Sequence, residues 1–307
     1  TGCPGAHKLR TTWFQSMVIP RWLIKYQIDI LYYPSYTTGY YLSISTPVVV
    51  NPHDIQFRFY PEYFSRWKRL YLNMGYKHSL KRADKIFAIS DYVKSTLLQF
   101  YKKECENKII TVYDPIDFDK SMESIPDDIR LPFILSVSSV QKHKNMITLV
   151  KAFDRISDRV PHQLVIVGCK GNGMDSIREY LKSRHLDDSQ LSWLYGHADL
   201  YVTTSLYEGF GMTPVEAMGR GIKTICSTAT SLPEVTMKAA NYYEPAEDDE
   251  ILAETIETVL KGNGNPAPDP NLFREYYDKT YIAKRMFQIF EDTILMAKEK
   301  QKHGMVN

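Results

Sequence analysis

The chain has 307 residues, 44% hydrophobic and 24% charged, with a formal net charge of +2. That balance fits a globular protein of one large or two ordinary domains. No apolar run approaches the roughly 20 residues that a spanning helix needs, and there is no internal repeat or low-complexity tract.

Charge is nonetheless uneven. Residues 1–84 hold eleven Lys and Arg against four Asp and Glu, about +7, and the rest of the chain is mildly acidic. The four cysteines (Cys3, Cys105, Cys169 and Cys226) are scattered without metal-ligand spacing, which reads as free thiols in a reducing cytosol. Thr1 is not an initiator methionine and no signal peptide is visible, so the start is expected to be incomplete.

In chain order, 28–32 and 47–50 look like strands, and a long helix is expected over 63–83, entered through Pro61. Its Phe64, Trp67, Leu70, Tyr71 and Met74 recur at helical spacing and are expected to face mostly inward. A strand over 85–89 follows, then Ser90 as the cap of a helix over 92–101, then a strand over 109–112. Residues 117–131, rich in Asp, Ser and Pro, read as a linker. Beyond it come strands at 133–139, 164–168, 200–204 and 222–226, with helices between them, the first capped by Asn145. Helices over 177–186 and 189–197 adjoin where a strand is due. A gap of roughly ten residues is therefore expected near Asp187 and Asp188, since a parallel crossover needs its strand. The chain closes on one long amphipathic helix over 273–297. Strands alternating with helices make this an α/β protein with parallel sheets. Its expected parts are 1–120, 121–272 and 273–307, the last a helix returning to the first domain.

The densest chemical signal is Ser205-Leu-Tyr-Glu-Gly-Phe-Gly-Met-Thr-Pro-Val-Glu216, between a strand and a helix. The carboxyl end of a parallel sheet is where such folds bind ligands. Gly209 and Gly211 permit a tight backbone path, and Thr213 before Pro214 reads as a helix cap. Thr213 and Glu216 also match a capping box, which leaves Glu208 and the two glycines unexplained. A helix N-terminus there would suit a diphosphate. Gln141-Lys-His-Lys-Asn145 follows another strand and would bring cations to the same crevice. His53 follows a strand of the first half, where it is either a satisfied structural histidine or part of a facing wall. Asp117 and Asp119 resemble a metal-binding pair, but their linker position makes them a decoy.

Glu208 and Glu216, with seven residues between them that include Gly-Phe-Gly, resemble the signature of glycosyltransferase family 4. The resemblance runs along nearly the whole chain. It takes in the 133–139 strand with His143-Lys-Asn145, Ala198-Asp-Leu-Tyr-Val202 and Ser231-Leu-Pro-Glu-Val235. In the first half it takes in Pro47-Val-Val-Val-Asn-Pro-His-Asp54, Tyr60-Pro-Glu-Tyr-Phe64, Arg82-Ala-Asp-Lys-Ile-Phe-Ala-Ile-Ser90 and Val112-Tyr-Asp-Pro-Ile-Asp117. It implies a GT-B fold of two Rossmann-like domains with a cleft between them, and transfer of a sugar with retention at the anomeric carbon. The nucleotide-sugar donor is a substrate, and neither a cofactor nor a metal is implied.

By the same resemblance Glu208, His53 and Lys144 are the catalytic set. Glu208 contacts the transferred sugar, Lys144 the diphosphate, and His53 reaches the sugar from the other domain. Glu216 holds the ribose, and Phe210, Gly211, Met212, Thr213 and His143 complete donor binding. His143 stands where the family has a cation, and Ser138 where it has a glycine; both departures weaken the phosphate grip. The 53–64 region looks closest to bacterial polysaccharide mannosyl- and rhamnosyltransferases. GDP-mannose is thus the first donor, ahead of UDP-glucose and dTDP-rhamnose, with a glycan or lipid-linked glycan as acceptor. Alternatives are a nucleotide-sugar binding protein without catalysis and a GT-B phosphorylase, though no loop offers a clear pyridoxal phosphate lysine. The charge of the first third suits weak contact of 63–83 with the inner face of an anionic membrane. No nucleic-acid recognition motif accompanies it.

Overall fold

A computed structural model describes residues 13–35, 38, 45–118, 123–127, 129–177 and 187–304. They form two compact units. One takes the described residues up to Tyr113 together with those from Ile282 onward, and the other runs from Asp114 to Tyr281.

In the first unit a π-helical stretch, Phe14–Val18, leads into α1 (Ile19–Lys25). Four parallel strands stand in chain order: β1 (Leu31–Tyr33), β2 (Val48–Val50), β3 (Lys85–Ala88) and β4 (Ile109–Thr111). Between β2 and β3 lies α2 (Arg66–Arg82), and between β3 and β4 lies α3 (Asp91–Cys105), capped as expected by Ser90, which accepts from Val93 N. The long helix does not begin at 63. Phe64 is extended, and the Ser65 side chain accepts from Lys68 N, so α2 starts at Arg66.

The inward face of α2 also differs from the expectation. Leu72, Gly75, Tyr76, Ser79 and Leu80 are buried, whereas Trp67, Leu70 and Met74 are 81%, 51% and 55% exposed. Gly75 and Ser79 are small, which lets the helix settle closely on this side. Tyr76 reinforces the choice by donating to the Asp54 carbonyl and stacking on Tyr101 at 6.0 Å. Apolar spacing alone could not choose between two stripes on opposite faces.

In the second unit the parallel strands are β5 (Phe133–Val137), β6 (Gln163–Val167), β7 (Leu200–Thr203), β8 (Thr224–Ser227) and β9 (Asn241–Tyr243), in the spatial order β6-β5-β7-β8-β9. The period-two rule is visible in the packing. Ile134, Leu200 and Val202 face one core, with α4 (Met146–Ile156). Phe133, Leu135 and Tyr201 face the other, with α5 (Asp188–His197). Each fully buried side chain of this size contributes about 1.5–3 kcal/mol. Among the described residues no strand lies between β6 and β7 in the sequence. The crossover from β6 returns past β5, and β7 pairs directly with β5, Ile134 opposite Leu200. Asp187 instead caps α5 in a capping box with Gln190. Of the helix expected over 177–186, only Ile177 is described, as a turn; the rest lies outside the described residues.

After β7 comes α6 (Met212–Met218), and after β9 come α7 (Asp249–Leu260), α8 (Pro270–Tyr277) and α9 (Lys279–Gly304). The single closing helix is thus two. Asp278 is extended between them, and its carboxylate accepts from Tyr281 N. Tyr277 is anchored by its hydroxyl to Val235 O, and its carbonyl accepts from Ile116 N. Beyond the break, Ile282, Met286, Ile289 and Phe290 pack on Val49, Phe87 and Val112 of the first sheet. Phe290 stacks on Phe87 with centroids 5.7 Å apart. Asp117 pairs with Lys279 at 3.0 Å, which gives it a structural role, and Asp119 lies outside the described residues. Cys105 and Cys226 are buried and Cys169 exposed, all as free thiols, while Cys3 is not described.

Candidate functional site

In the second sheet β5 lies between β6 and β7, so the chain leaves β5 and β6 in opposite directions. That reversal opens a crevice at the carboxyl ends of β5 and β7. The two loops that leave it are 138–145 and 204–211, which hold both motifs singled out in the sequence.

The loops are tied to each other through backbone groups. Thr204 Oγ1 donates to the carbonyls of Lys144 and Asn145, at 2.9 and 3.0 Å, and Leu206 N donates to His143 O at 2.7 Å. With the main chains fixed, the side chains meet. Lys144 Nζ lies 2.6 Å from Glu208 Oε1, and Ser205 Oγ donates to the same oxygen at 2.7 Å. Both ends of the ion pair are largely shielded, with side chains 18% and 14% exposed. The Glu208 backbone is pinned as well. Its N–H donates to Thr230 Oγ1 at 2.9 Å, and Ser231 Oγ donates to the carbonyls of Glu208 and Phe210.

Local details depart from the sequence reading in four places. Gly211, with φ of 103°, is the N-cap of α6, so Thr213 is not the cap and no capping box forms. A Cβ at Gly211 would meet Leu232 Cδ2 at 3.0 Å as well as this left-handed backbone. Gly209 has no positive φ, so only one of the two glycines is used in that way. Asn145 sits before α4 in a left-handed conformation without capping it. Its amide donates to Ala246 O, and Thr148 Oγ1 donates to its side-chain oxygen.

His143 is the clearest electrostatic anomaly. Burial, and then the Lys144 cation, push its imidazole down to about 4, against the pull of Glu208. At neutral pH it is uncharged, so Lys144 is the cation that this loop directs at Glu208.

Glu216, released from any capping role, accepts a hydrogen bond from the Tyr195 hydroxyl at 2.9 Å. Burial raises the Tyr195 pKa well above its usual value, which keeps it a donor. Arg220 lies over the Tyr195 ring at 4.8 Å and donates to Glu216 O at 3.1 Å. Phe210 is buried edge-on against Tyr277, while Met212 is exposed. A pocket of about 430 Å³ lies between the loops after β5 and β6, lined by Val140, Lys142, Asn145, Asn172, Asp175 and Ser176 among others. His53 is exposed in the first unit, just after β2.

Two family descriptions match the sequence: "Glycosyl transferases group 1" over residues 117–279 and "Glycosyltransferase Family 4" over residues 2–120. The chain belongs to the group 1 glycosyltransferases. Among curated relatives of this glycosyltransferase chain, O-antigen chain mannosyltransferase B of Escherichia coli is 25% identical over 228 residues, which is 67% of this chain and 60% of that protein. O-antigen chain mannosyltransferase RfbU of Salmonella typhimurium is 27% identical over 227 residues, 70% and 61% of the two chains. The chain therefore spans about three-fifths of the length of these two relatives. Sucrose-phosphate synthase from Thermosynechococcus elongatus superposes with a TM-score of 0.78 at 18% identity, over 96% of this chain and 81% of that one. Anabaena Alr3699/HepE in complex with UDP superposes with a TM-score of 0.63 at 20% identity, over 80% and 72%. The fold is GT-B, with two Rossmann-like domains.

The resemblance had singled out Lys144 and Glu208, and the structure brings them together. Ser205, Thr204, Thr230, Ser231 and Tyr195 had not been singled out. Ser205, three residues before Glu208, had a local signal as a hydroxyl within reach of a nearby acidic side chain. Tyr195 and Thr230 join the site through tertiary contacts that no spacing announces.

Proposed function

We propose that the protein is a retaining glycosyltransferase. It moves a hexose from a nucleoside diphosphate donor, GDP-mannose before UDP-glucose or dTDP-rhamnose, to a glycan or lipid-linked glycan in polysaccharide synthesis. The observation that carries this reading is the Lys144–Glu208 pair at the carboxyl edge of the sheet, beside the first turn of α6. The O-antigen mannosyltransferase relatives support mannose, and the UDP complex of a structural neighbour supports a nucleotide ligand.

The chemical problem is a leaving diphosphate that gains negative charge while the sugar becomes cationic. Fixed positive groups at that oxygen are the strongest lever available. Lys144 turns from Glu208 to the phosphate, and the backbone N–H groups of Gly211, Met212 and Thr213 add their dipoles. Glu208, released from the lysine, takes the sugar hydroxyls. Glu216 keeps one oxygen on Tyr195 and offers the other to the ribose. Phosphate charge is met by protein groups, so transfer proceeds without a divalent ion. The leaving phosphate accepts the acceptor's proton on the front face, which gives retention. His53 is the third member of this proposed catalytic set.

No helix among the described residues is long and apolar enough to cross a membrane. A lipid-linked acceptor would instead bring the enzyme to the cytoplasmic face of the bilayer by peripheral contact. The deciding experiment is a nucleotide-release assay across GDP-, UDP- and dTDP-sugars with excess chelator, and NMR of the product anomer. Turnover of one donor with retained configuration supports the reading. Release only with magnesium or manganese, or an inverted product, overturns it.

A further inference from the structure

The surface of α2 opposite the core carries Trp67, Leu70, Met74, Lys77 and Lys81 in succession. Their offsets of three, seven, ten and fourteen residues keep them within one narrow stripe of a helix. The buried residues Leu72, Gly75, Tyr76 and Ser79 occupy the opposite side, so this orientation is fixed by packing. The result is a surface helix turned out of the usual pattern, with large apolar residues leading and cations following. A monomeric protein gains nothing from holding a tryptophan 81% exposed beside a leucine and a methionine more than half exposed.

We infer that this stripe is a docking surface for an anionic phospholipid bilayer, with Trp67, Leu70 and Met74 entering the headgroup region and Lys77 and Lys81 meeting lipid phosphates. Charge selects this occupant. The stripe lies on the part of the chain that holds eleven Lys and Arg against four Asp and Glu over 84 residues. Arg66 and Lys68 flank Trp67, both exposed. Lys77 has Glu104 at 3.9 Å but is itself 66% exposed, an open contact that a lipid phosphate can replace. At the far end the stripe meets a pocket of about 440 Å³ whose lining includes His78, Lys81 and Arg82, the last paired with Asp84 at 3.2 Å. A tryptophan with adjacent apolar residues and a basic flank is the chemistry of interfacial attachment. The same unit also exposes Trp13 (59%), Trp22 (48%) and Ile24 (77%) before and along α1.

This inference extends the lipid-linked reading above, but vesicle binding is measured apart from sugar transfer. The test is co-flotation of the full chain with phosphatidylglycerol vesicles and with phosphatidylcholine vesicles, at low and high salt. Wild type should float with the anionic vesicles at low salt and be released by high salt. The variant Trp67→Ser, Leu70→Ser, Met74→Ser should lose about tenfold or more of that partitioning, and so should Lys77→Glu, Lys81→Glu. All five residues are exposed, so both variants should melt with the wild type. Absence of wild-type flotation on anionic vesicles overturns the inference, as does a serine variant that binds unchanged. A wild-type dimer that the serine variant converts to monomer, without vesicle binding, would make the stripe an interface between copies. Nucleotide release on the same samples separates failure of docking from failure of the glycosyltransferase reading.

Discussion

The crevice loops of the second unit and the outer face of α2 in the first break the same rule in opposite directions. Around Glu208 the protein buries what is usually exposed: a lysine, a carboxylate and the hydroxyls of Ser205, Thr230 and Ser231. Along α2 it exposes what is usually buried. The first departure is closed, with each polar group given a partner inside the chain. The second is open, with apolar groups left exposed among the described residues of their unit. Buried polarity that is fully satisfied adds little net stability and fixes a geometry. Exposed apolar surface costs solubility unless something else covers it. The contrast separates a place where chemistry is held ready from a place where the molecule meets its surroundings.

The largest expected effect breaks the closed side at its centre. If Glu208 holds the sugar in the transition state as proposed, Glu208→Gln should lower turnover by roughly two orders of magnitude or more. Nucleotide affinity should not weaken, since Lys144 is then free of its partner. A variant that keeps most of its turnover would leave the buried pair as structure only.

Next comes the cation itself. Lys144→Ala should weaken nucleoside diphosphate binding, by calorimetry, by about 1.5–3 kcal/mol and monophosphate binding by less. Equal losses for both would point to a general disturbance of the loop.

Tyr195→Phe sharpens the comparison further from the chemistry. It should cost about 1 kcal/mol in affinity for a ribonucleoside diphosphate and leave the 2′,3′-dideoxy analogue untouched. If both ligands lose equally, Tyr195 supports the fold and does not orient Glu216.

The smallest effect is in pH. His143 is neutral in the free protein down to about pH 4, whereas an unfolded histidine protonates near 6.5. Its contribution to stability therefore falls as pH drops from 6.5 toward 4, because the unfolded chain takes the proton first. A bound diphosphate favours the imidazolium, so binding between pH 7 and 5 should take up part of a proton. Calorimetry in buffers of different ionisation enthalpy reads this uptake, and His143→Gln should reduce it. An unchanged uptake would trace it to the nucleotide alone.

Much of this was legible in the sequence, and the reasons for the rest are physical. Parallel strands announce themselves as short apolar runs, so β2, β3, β5 and β7 fall where expected within a residue or two. The 205–216 motif was readable because glycines, Pro214 and two glutamates are spaced around a strand-to-helix turn. Which glycine would carry the positive φ was not, because Gly209 and Gly211 are alike until Leu232 packs on one of them. The inward face of α2 was misread for a related reason: Trp67, Leu70 and Met74 are more apolar than Gly75 and Ser79, but size decides fit. The break at Asp278 depends on Val235 and Ile116, far away in sequence. Lys144 and Glu208 were each visible, while their 2.6 Å approach depends on Thr204 holding the two loops together.

That approach also bears on how the site empties. On the proposed reading, a spent nucleoside diphosphate would occupy Lys144 but give Glu208 no sugar hydroxyls in exchange. The carboxylate is then left in a shielded position with Ser205 as its side-chain donor, and its nearest cation is held by the departing product. Re-forming the ion pair draws Lys144 back. On that reading the ion pair is an internal competitor for the by-product, one that the intact donor would silence and the spent donor would not.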